Sequence, residues 1–386
     1  MSRRALPLII VWLAGANLRL AIFALQPVLP QVRHDLGLNF TTTGALTSMA
    51  LGVLGVASIP GAFVAWRLGA RRTVGLMAVG MAIASVLRLV PPENVMVFIG
   101  TGFLAAFVSF SQPAATVLVR RWFADRLQRA SGIYSNGILI GGTVGASATP
   151  LIAGAAGWRG SFWVWAAVSL LTALVWWRFT PSTDAAVPRL HVMETLRNAR
   201  AWQVTALFTF QNFAYFCTAA WLPFLLAGRS PAYVSWVFTC LNLLPILPLL
   251  ALPVLRWAYA TSPAFYFANG VIVLVGTAGL ALGLRDQAWA LAFLVGLGCA
   301  AAFVGAMALT PLIARSDAEA AGITAVVFTF GYVLAFASPV LGGWLVDRTH
   351  QVTAGFWPSI GGAILMAVVG LLIPRLMARH AAEAAA

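Results

Sequence analysis

Lysine does not occur in this sequence, and carboxylates are scarce: twenty-four basic side chains, all arginine, stand against ten acids in 386 residues. Charged residues make up 9% of the chain, against about 25% in a soluble globular protein. So few charges cannot furnish a water-facing surface at this length, which excludes a soluble domain. The formal charge of +14 invites a nucleic-acid reading, but a nucleic-acid binder gathers its cations on one soluble face. Here the arginines gather at the ends of apolar runs, so no nucleic-acid partner is expected. Cysteine occurs three times, at Cys217, Cys240 and Cys299, always inside an apolar run. With no CxxC and no disulfide framework, these read as small core residues. No HExxH, deep Asp pair or Ser–His set is present, which argues against an intramembrane protease. No catalytic residue, metal or cofactor is expected. The longest connection, 180–201, is too short for a receptor's output domain.

What is abundant is apolar: 61% of the residues are hydrophobic. They fall in repeated runs, each long enough to cross about 30 Å of hydrocarbon as a helix of ~20 residues. Breaks at Pro, Gly and Arg clusters predict an all-α membrane protein of twelve transmembrane helices. The spans are 6–30, 43–66, 73–91, 94–119, 130–156, 161–178, 202–227, 233–255, 263–284, 288–313, 320–345 and 355–378. Arg3 and Arg4 before the first run resemble a signal peptide, but that run exceeds an h-region of about 7–15 residues. It reads as an uncleaved first helix. The turn-rich stretch 180–201, with "TPSTDAAVP", reads as a linker between six-helix bundles at 1–179 and 202–386. Twelve spans leave seventeen arginines on the side of the termini and five on the other. The positive-inside rule then puts both termini and the linker in the cytoplasm.

The halves echo one another. "SGIYSNGILIGGTVGASATPLIAG" lies over "AGITAVVFTFGYVLAFASPVLGG", with Gly132, Pro150 and Gly154 matching Gly322, Pro339 and Gly343. Asn17 and Pro27 answer Asn212 and Pro223 at a similar offset. Parallel six-helix repeats fit a major facilitator architecture. The segments "NLRLAIFALQPVLPQVRHDLGL", "LVRRWFADR", "GWRGSFW", "AWLPFLLAGRS" and "GYVLAFASPVLGGWLVDRT" resemble the cyanate and 2-nitroimidazole permease family of the major facilitator superfamily. The resemblance implies two six-helix bundles in a bacterial inner membrane and transport of a small monovalent anion or small planar heterocycle. It also implies a cytoplasmic latch at Arg67, Gly69, Arg71 and Arg72, with Arg120 and Arg121 in the next cytoplasmic loop. The sequence departs from the family here, because Trp66 stands where the family's acid would be. Asp125 is the candidate to replace it.

Charge in a span marks a candidate site, since it costs at least ~2.5–3.5 kcal/mol at mid-depth. Two arginines lie in spans. Arg19 is deep; Arg88 is near the outer end of the third span. All ten acids fall in loops, tails or span edges. Arg19 therefore has no acid at its depth, and the expectation is a water-filled cavity in which a bound anion or a strong dipole completes it. The competing reading of Arg19 is a structural residue on the carbonyls of a broken helix. Trp12, Gly15, Arg19, Phe23 and Gln26 share a face at steps of three and four, read as a cavity wall. Asn17 lies about 160° around the helix from Arg19 and is expected to bond a neighbouring helix. In the family fold, spans one, four, seven and ten line the cavity. This nominates Phe107, Ser111 and Gln112; Gln211, Asn212, Tyr215 and Trp221; and Phe303 and Met307, with Tyr134 and Asn136 from span five. Arg88 is a candidate second cation, though its shallow position favours snorkelling to the outer interface.

The function expected is a monomeric secondary transporter in the lipid bilayer. It moves a small-molecule substrate, cyanate-like or 2-nitroimidazole-like, by alternating access. A proton-coupled carrier titrates a buried Asp, Glu or His, and none is deep here, so uniport or exchange is expected. The alternatives are an exporter of drugs or small metabolites and a nitrate/nitrite-type anion exchanger on the same fold.

Overall fold

A computed structural model of the chain describes residues 6–123, 127–180, 196, 199–249, 261–314 and 317–372. Among the described residues the regular structure is helical, with no strand. In hydrocarbon each backbone N–H and C=O must be paired within the protein, and a helix pairs them within its own segment. Eight helical stretches among the described residues are long and apolar enough to cross a bilayer. One of them, Arg129–Phe179, has 51 residues, about 76 Å at 1.5 Å per residue. It turns at Gly157 (φ 69°, ψ 171°) and is therefore two helices.

The elements are α1 (Leu6–Phe23), α2 (Leu29–Leu36), α3 (Phe40–Val56), α4 (Ser58–Leu68), α5 (Ala70–Leu87), α6 (Glu93–Trp122) and the two-limbed α7 (Leu127–Phe179). They continue with α8 (Ala199–Leu225), α9 (Pro231–Asn242), α10 (Ile246–Leu249), α11 (Pro263–Ala281), α12 (Ala288–Ile313), α13 (Asp317–Ala335), α14 (Ala337–Thr349) and α15 (Trp357–Gly370). The expected second span is divided between α3 and α4, and the end of the expected eighth lies outside the described residues. Most of the expected linker at 180–201 lies outside them too.

Two compact units emerge. The first holds the described residues of Met1–Leu38, Met49–Arg189 and Gly228–Ser235; the second holds those of Asn39–Ser48, Leu190–Ala227 and Trp236–Ala386. Each unit thus includes the opening turns of one helix whose remainder groups with the other. The internal repeat is visible in this exchange. Within the first unit, a Cβ at Gly154 would press on the Pro231 ring that opens α9. Within the second, a Cβ at the matching Gly343 would meet the Phe40 carbonyl oxygen at the start of α3.

In the second unit the start of α3 is capped from two directions. Asp347, in the last turn of α14, accepts hydrogen bonds from the Phe40 amide (3.0 Å) and from the Thr41 amide (2.8 Å) and hydroxyl (2.5 Å). Asn39 Oδ1 takes the Thr42 amide at 2.7 Å. The first three N–H groups of α3, which have no helical partner, are thereby satisfied, two of them by an ion that the helix dipole favours. The core of this unit is aromatic. Phe208 packs on Phe303, Phe328 and Tyr332 with ring centroids 5.8, 5.1 and 5.2 Å away. Cys217, Cys240 and Cys299 are all free and buried.

The first unit is closed at the turn after Gly157 by a charge cluster. Arg159 donates through Nη1 to Asp35 (2.9 Å) and through Nε and Nη2 to Glu93 (2.9 and 2.5 Å). Trp158 Nε1 donates to the same Asp35 carboxylate at 2.9 Å, and the guanidinium sits 4.3 Å over the Trp158 ring. One arginine ties the end of α2, the start of α6 and the turn inside α7. Because Arg159 and Asp35 are part-exposed, the gain is that of a surface network. Arg159→Ala should lower stability by about 0.5–1 kcal/mol, an effect that shrinks at high salt, without loss of fold. Thermal unfolding in detergent at low and high ionic strength checks this.

Candidate functional site

In the first unit the site is built on α1, and α1 is placed by glycine. A Cβ at Gly137, Gly141 or Gly145 of α7 would fall on the carbonyl oxygens of Trp12, Ala16 and Leu20 respectively. The reverse contact comes from Gly15, whose Cβ would sit 2.6 Å from the Tyr134 carbonyl oxygen. Glycines four apart form one stripe, and without side chains the two backbones come into contact. This corrects the expectation for Gly15. It faces the α7 backbone and not a cavity.

The opposite side of α1 is held by Asn17. Its Oδ1 accepts from Ser169 Oγ at 2.8 Å, and its Nδ2 lies 3.8 Å from Met81 Sδ. Asn17 thus bonds neighbouring helices, as its angle from Arg19 requires. A void of about 10 Å³ beside it is lined by Asn17, Ser111, Thr172 and Trp176, among others. Ser111 is 1% exposed and borders this void, so it lies on Asn17's side of α1 and away from Arg19. Its neighbour Gln112, about 100° further round α6, is half-buried.

Arg19 follows Gly15 by four residues, about 40° round the helix, and so stands at the edge of the side that packs on α7. Its side chain is half-buried, and its guanidinium lies 5.7 Å from the Phe23 ring centroid one turn on. A Cβ at Gly142 would stand 3.5 Å from Arg19 Cβ, so α7 gives the base of the side chain room without obstructing it. One turn before Gly15, Trp12 donates its indole N–H to Asn136 Oδ1 at 2.9 Å. Gln26 is buried in the short 3-10 turn Gln26–Val28, and its Oε1 has no hydrogen-bond partner. Trp12, Asn136, Arg19 and Phe23 are therefore assembled along the α1–α7 seam; Phe107 instead packs on Phe103 and against Gly80 of α5.

Arg88 departs from expectation. It is 1% exposed and does not snorkel outward. Its Nη1 donates to the Ala21 carbonyl at 3.4 Å, and its guanidinium lies 5.1 Å from the Phe162 ring centroid. Its Nε and Nη2 have no hydrogen-bond partner. Gly100 makes the inward course available, since a Cβ there would stand 2.7 Å from Arg88 Cγ.

Of the residues expected at the latch, Arg67 is exposed and covers the Phe63 ring at 4.8 Å. Gly69 (φ 84°) turns the chain between α4 and α5. Arg71 donates to Thr180 Oγ1 at 3.0 Å and lies over Trp177, inside its own unit. Arg72, Arg120 and Arg121 are exposed. Asp125 lies outside the described residues.

In the second unit, Tyr215 of α8 donates its hydroxyl to Asn242 Oδ1 of α9. Asn212 returns its Nδ2 to the Phe208 carbonyl of its own helix at 2.7 Å, and buried Gln211 leaves Nε2 without a partner. Phe303 and Met307 are half-buried. Trp221 is 0% exposed, which removes it from any cavity lining. Gly342 and Gly355 carry no side chain where its indole packs. Asn242, Phe162 and the stripe at 137, 141 and 145 were not singled out from sequence. The four-residue glycine spacing could have revealed the stripe; Phe162 lies within "GWRGSFW", and nothing local marks Asn242.

Residues 11–230 of the chain match the family model described as Major Facilitator Superfamily. The chain is 28% identical over 382 residues to the 2-nitroimidazole transporter of Escherichia coli (strain K12), covering 95% of this chain and 94% of that protein. It is 24% identical over 382 residues to the cyanate transport protein CynX of the same organism, covering 95% of each. Among solved structures, a bacterial homolog of the human lysosomal transporter Spinster, inward-facing and unoccupied, superposes with a TM-score of 0.78. The match covers 98% of both chains at 14% identity.

The glycine stripe yields a direct test. Gly141→Val forces a branched side chain onto the Ala16 carbonyl and should cost about 1–3 kcal/mol, the range for overpacking. Gly132→Ala, where a Cβ meets nothing within 4 Å, should leave the thermal midpoint unchanged.

Proposed function

The chain belongs to the Major Facilitator Superfamily, and from that premise we propose that it moves a small monovalent anion or small planar polar solute, cyanate-like or 2-nitroimidazole-like, by alternating access. It is a multi-pass membrane transporter, and Arg19 is its main recognition residue. The observation that carries this reading is the position of Arg19. It is a permanent cation in the second half of an apolar helix, half-buried, at the edge of the side of α1 that packs on α7 and away from Asn17. A planar guanidinium over an aromatic ring suits a small planar acceptor, which it can meet with two parallel N–H donors. One deep cation favours a charge of −1, or a neutral dipole, over a dianion. The two Escherichia coli relatives are named for solutes of this class, 2-nitroimidazole and cyanate. Within the first unit, Trp12, Phe23, Gln26 and Gln112 are the further candidates for solute contact; Gln211, Asn212 and Tyr215 are the candidates of the second unit.

Transport is uniport or anion exchange. No acid occupies the central turns of any helix among the described residues, and arginine does not release its proton in a protein. Uptake of an anion against an inside-negative potential costs ~2.3 kcal/mol per 100 mV, so accumulation requires a counter-anion or consumption of the solute inside. The arginine asymmetry supports cytoplasmic termini in a bacterial inner membrane, and a monomer suffices for this mechanism.

Thermal-shift titration of purified wild type with cyanate, nitrate, nitrite and 2-nitroimidazole should find a ligand that raises stability by about 2.7 kcal/mol at a hundredfold excess over Kd. The shift should vanish in Arg19→Ala and fall sharply in Arg19→Lys, which keeps the charge but loses the fork. An equal shift in Arg19→Ala overturns the assignment. Proton movement obligatorily linked to solute flux in proteoliposomes overturns the coupling.

A further inference from the structure

Arg88 is a buried cation in the first unit. It is 1% exposed, its Nε and Nη2 have no hydrogen-bond partner, and no ion pair to it occurs among the described residues. A buried guanidinium without a carboxylate is destabilising, so the polar contact it makes among the described residues points to what it does. That contact is the Ala21 carbonyl, at the point where α1 comes apart.

The α1 ladder holds as far as Ala24, whose amide still reaches the Leu20 carbonyl at 3.1 Å. The next amide, Leu25, turns to the Ile22 carbonyl at 3.5 Å, and the carbonyl it would have met in a continuing helix is that of Ala21. Two residues on, Pro27 has no N–H to give. The end of α1 therefore exposes a carbonyl inside the protein, at the negative end of the helix dipole, where a cation is favoured. Arg88 Nη1 takes that carbonyl at 3.4 Å, Phe162 supports the other side of the guanidinium at 5.1 Å, and Gly100 clears its path. Ala21 lies between Arg19 and Phe23, the pair in which the cation lies over the ring.

We propose that Arg88 is a positioning residue for the binding helix: it caps the broken end of α1 and fixes the Arg19–Phe23 pair, without touching the solute. This rests on the reading of Arg19 as the anion contact.

The test uses the full chain in lipid nanodiscs, with Arg88→Met and Arg88→Lys beside wild type and Arg19→Ala. Hydrogen exchange is followed in the ligand-free protein over 20–28, and cyanate affinity is measured by titration. In Arg88→Met, exchange over 20–28 should rise several-fold while α8 peptides keep the wild-type rate. Cyanate affinity should fall about tenfold, the order of one charge-assisted hydrogen bond. Arg88→Lys should recover both in part, because an ammonium can still cap one carbonyl. If Arg88→Met does not fold, Arg88→Gln, which keeps a donor without the charge, carries the same comparison. The inference is overturned if exchange over 20–28 stays at the wild-type rate in both neutral variants. It is also overturned if affinity falls with no change in that segment, which is the mark of direct solute contact. Failure of the Arg19 reading looks different: cyanate binds Arg19→Ala as it binds wild type, whatever the exchange of 20–28 does.

Discussion

The backbone contact between α1 and α7 sets the rest of the site. Lipid tails are as apolar as leucine, so no hydrophobic gain draws two helices together in a bilayer; close packing and polar contacts must do so. Gly137, Gly141 and Gly145 remove the side chains that would hold α7 away, and its surface then follows the carbonyls of Trp12, Ala16 and Leu20. That fixes both the distance and the rotation of α1. Asn17, bonded to Ser169 on another side, fixes the rotation a second time. A helix pinned on two faces has a fixed rotation, and Arg19, at the edge of the side that packs on α7, is held at a defined angle.

Helix ends are the second constraint, because they are where backbone groups lose their partners. The chain meets this with ions from other helices. Asp347 supplies both carboxylate oxygens to the first amides of α3, and Arg88 supplies one guanidinium nitrogen to a late carbonyl of α1. The signs follow the dipole, an anion at the amino end and a cation at the carboxyl end. Asp35, Glu93 and Arg159 make a third use of charge at the margins, tying connections together. A chain with few charges thus commits several of them to helix ends and connections.

Much of this was legible in the sequence, for physical reasons. Scarcity of charge and repeated apolar runs define a helical membrane protein, since few other structures satisfy a backbone in lipid. The separation of Asn17 from Arg19 follows from 3.6 residues per turn. What was not legible depends on partners distant in the chain. Hydropathy locates Arg88 near a span end but does not say whether its long side chain turns outward or inward; the inward choice is made by Gly100, Phe162 and the freed Ala21 carbonyl. Trp221 carried a motif, yet its burial depends on glycines more than a hundred residues away. Ser111 and Gln112 are neighbours that periodicity distinguishes in angle, but only the packed helix tells which one borders the Asn17 void. The motif containing Trp158 and Arg159 was visible, whereas its acidic partners lie on two other connections.

The two arginines at α1 also bear on how a carrier releases what it binds. A site must attract its solute enough to load and hold it loosely enough to let go. Two cations both open to an anion would form a chelating pocket, strong at loading and slow at release. Here one cation is half-exposed and the other is sealed, capping a carbonyl. Arg88 adds to the positive potential along the end of α1 but offers the solute no donor. On the proposed function, the anion meets one fork, that of Arg19, in a field strengthened by a charge it cannot reach. Affinity then depends on the geometry of a single side chain, and that geometry is fixed by glycine contacts on one face of α1 and by a buried arginine at its end.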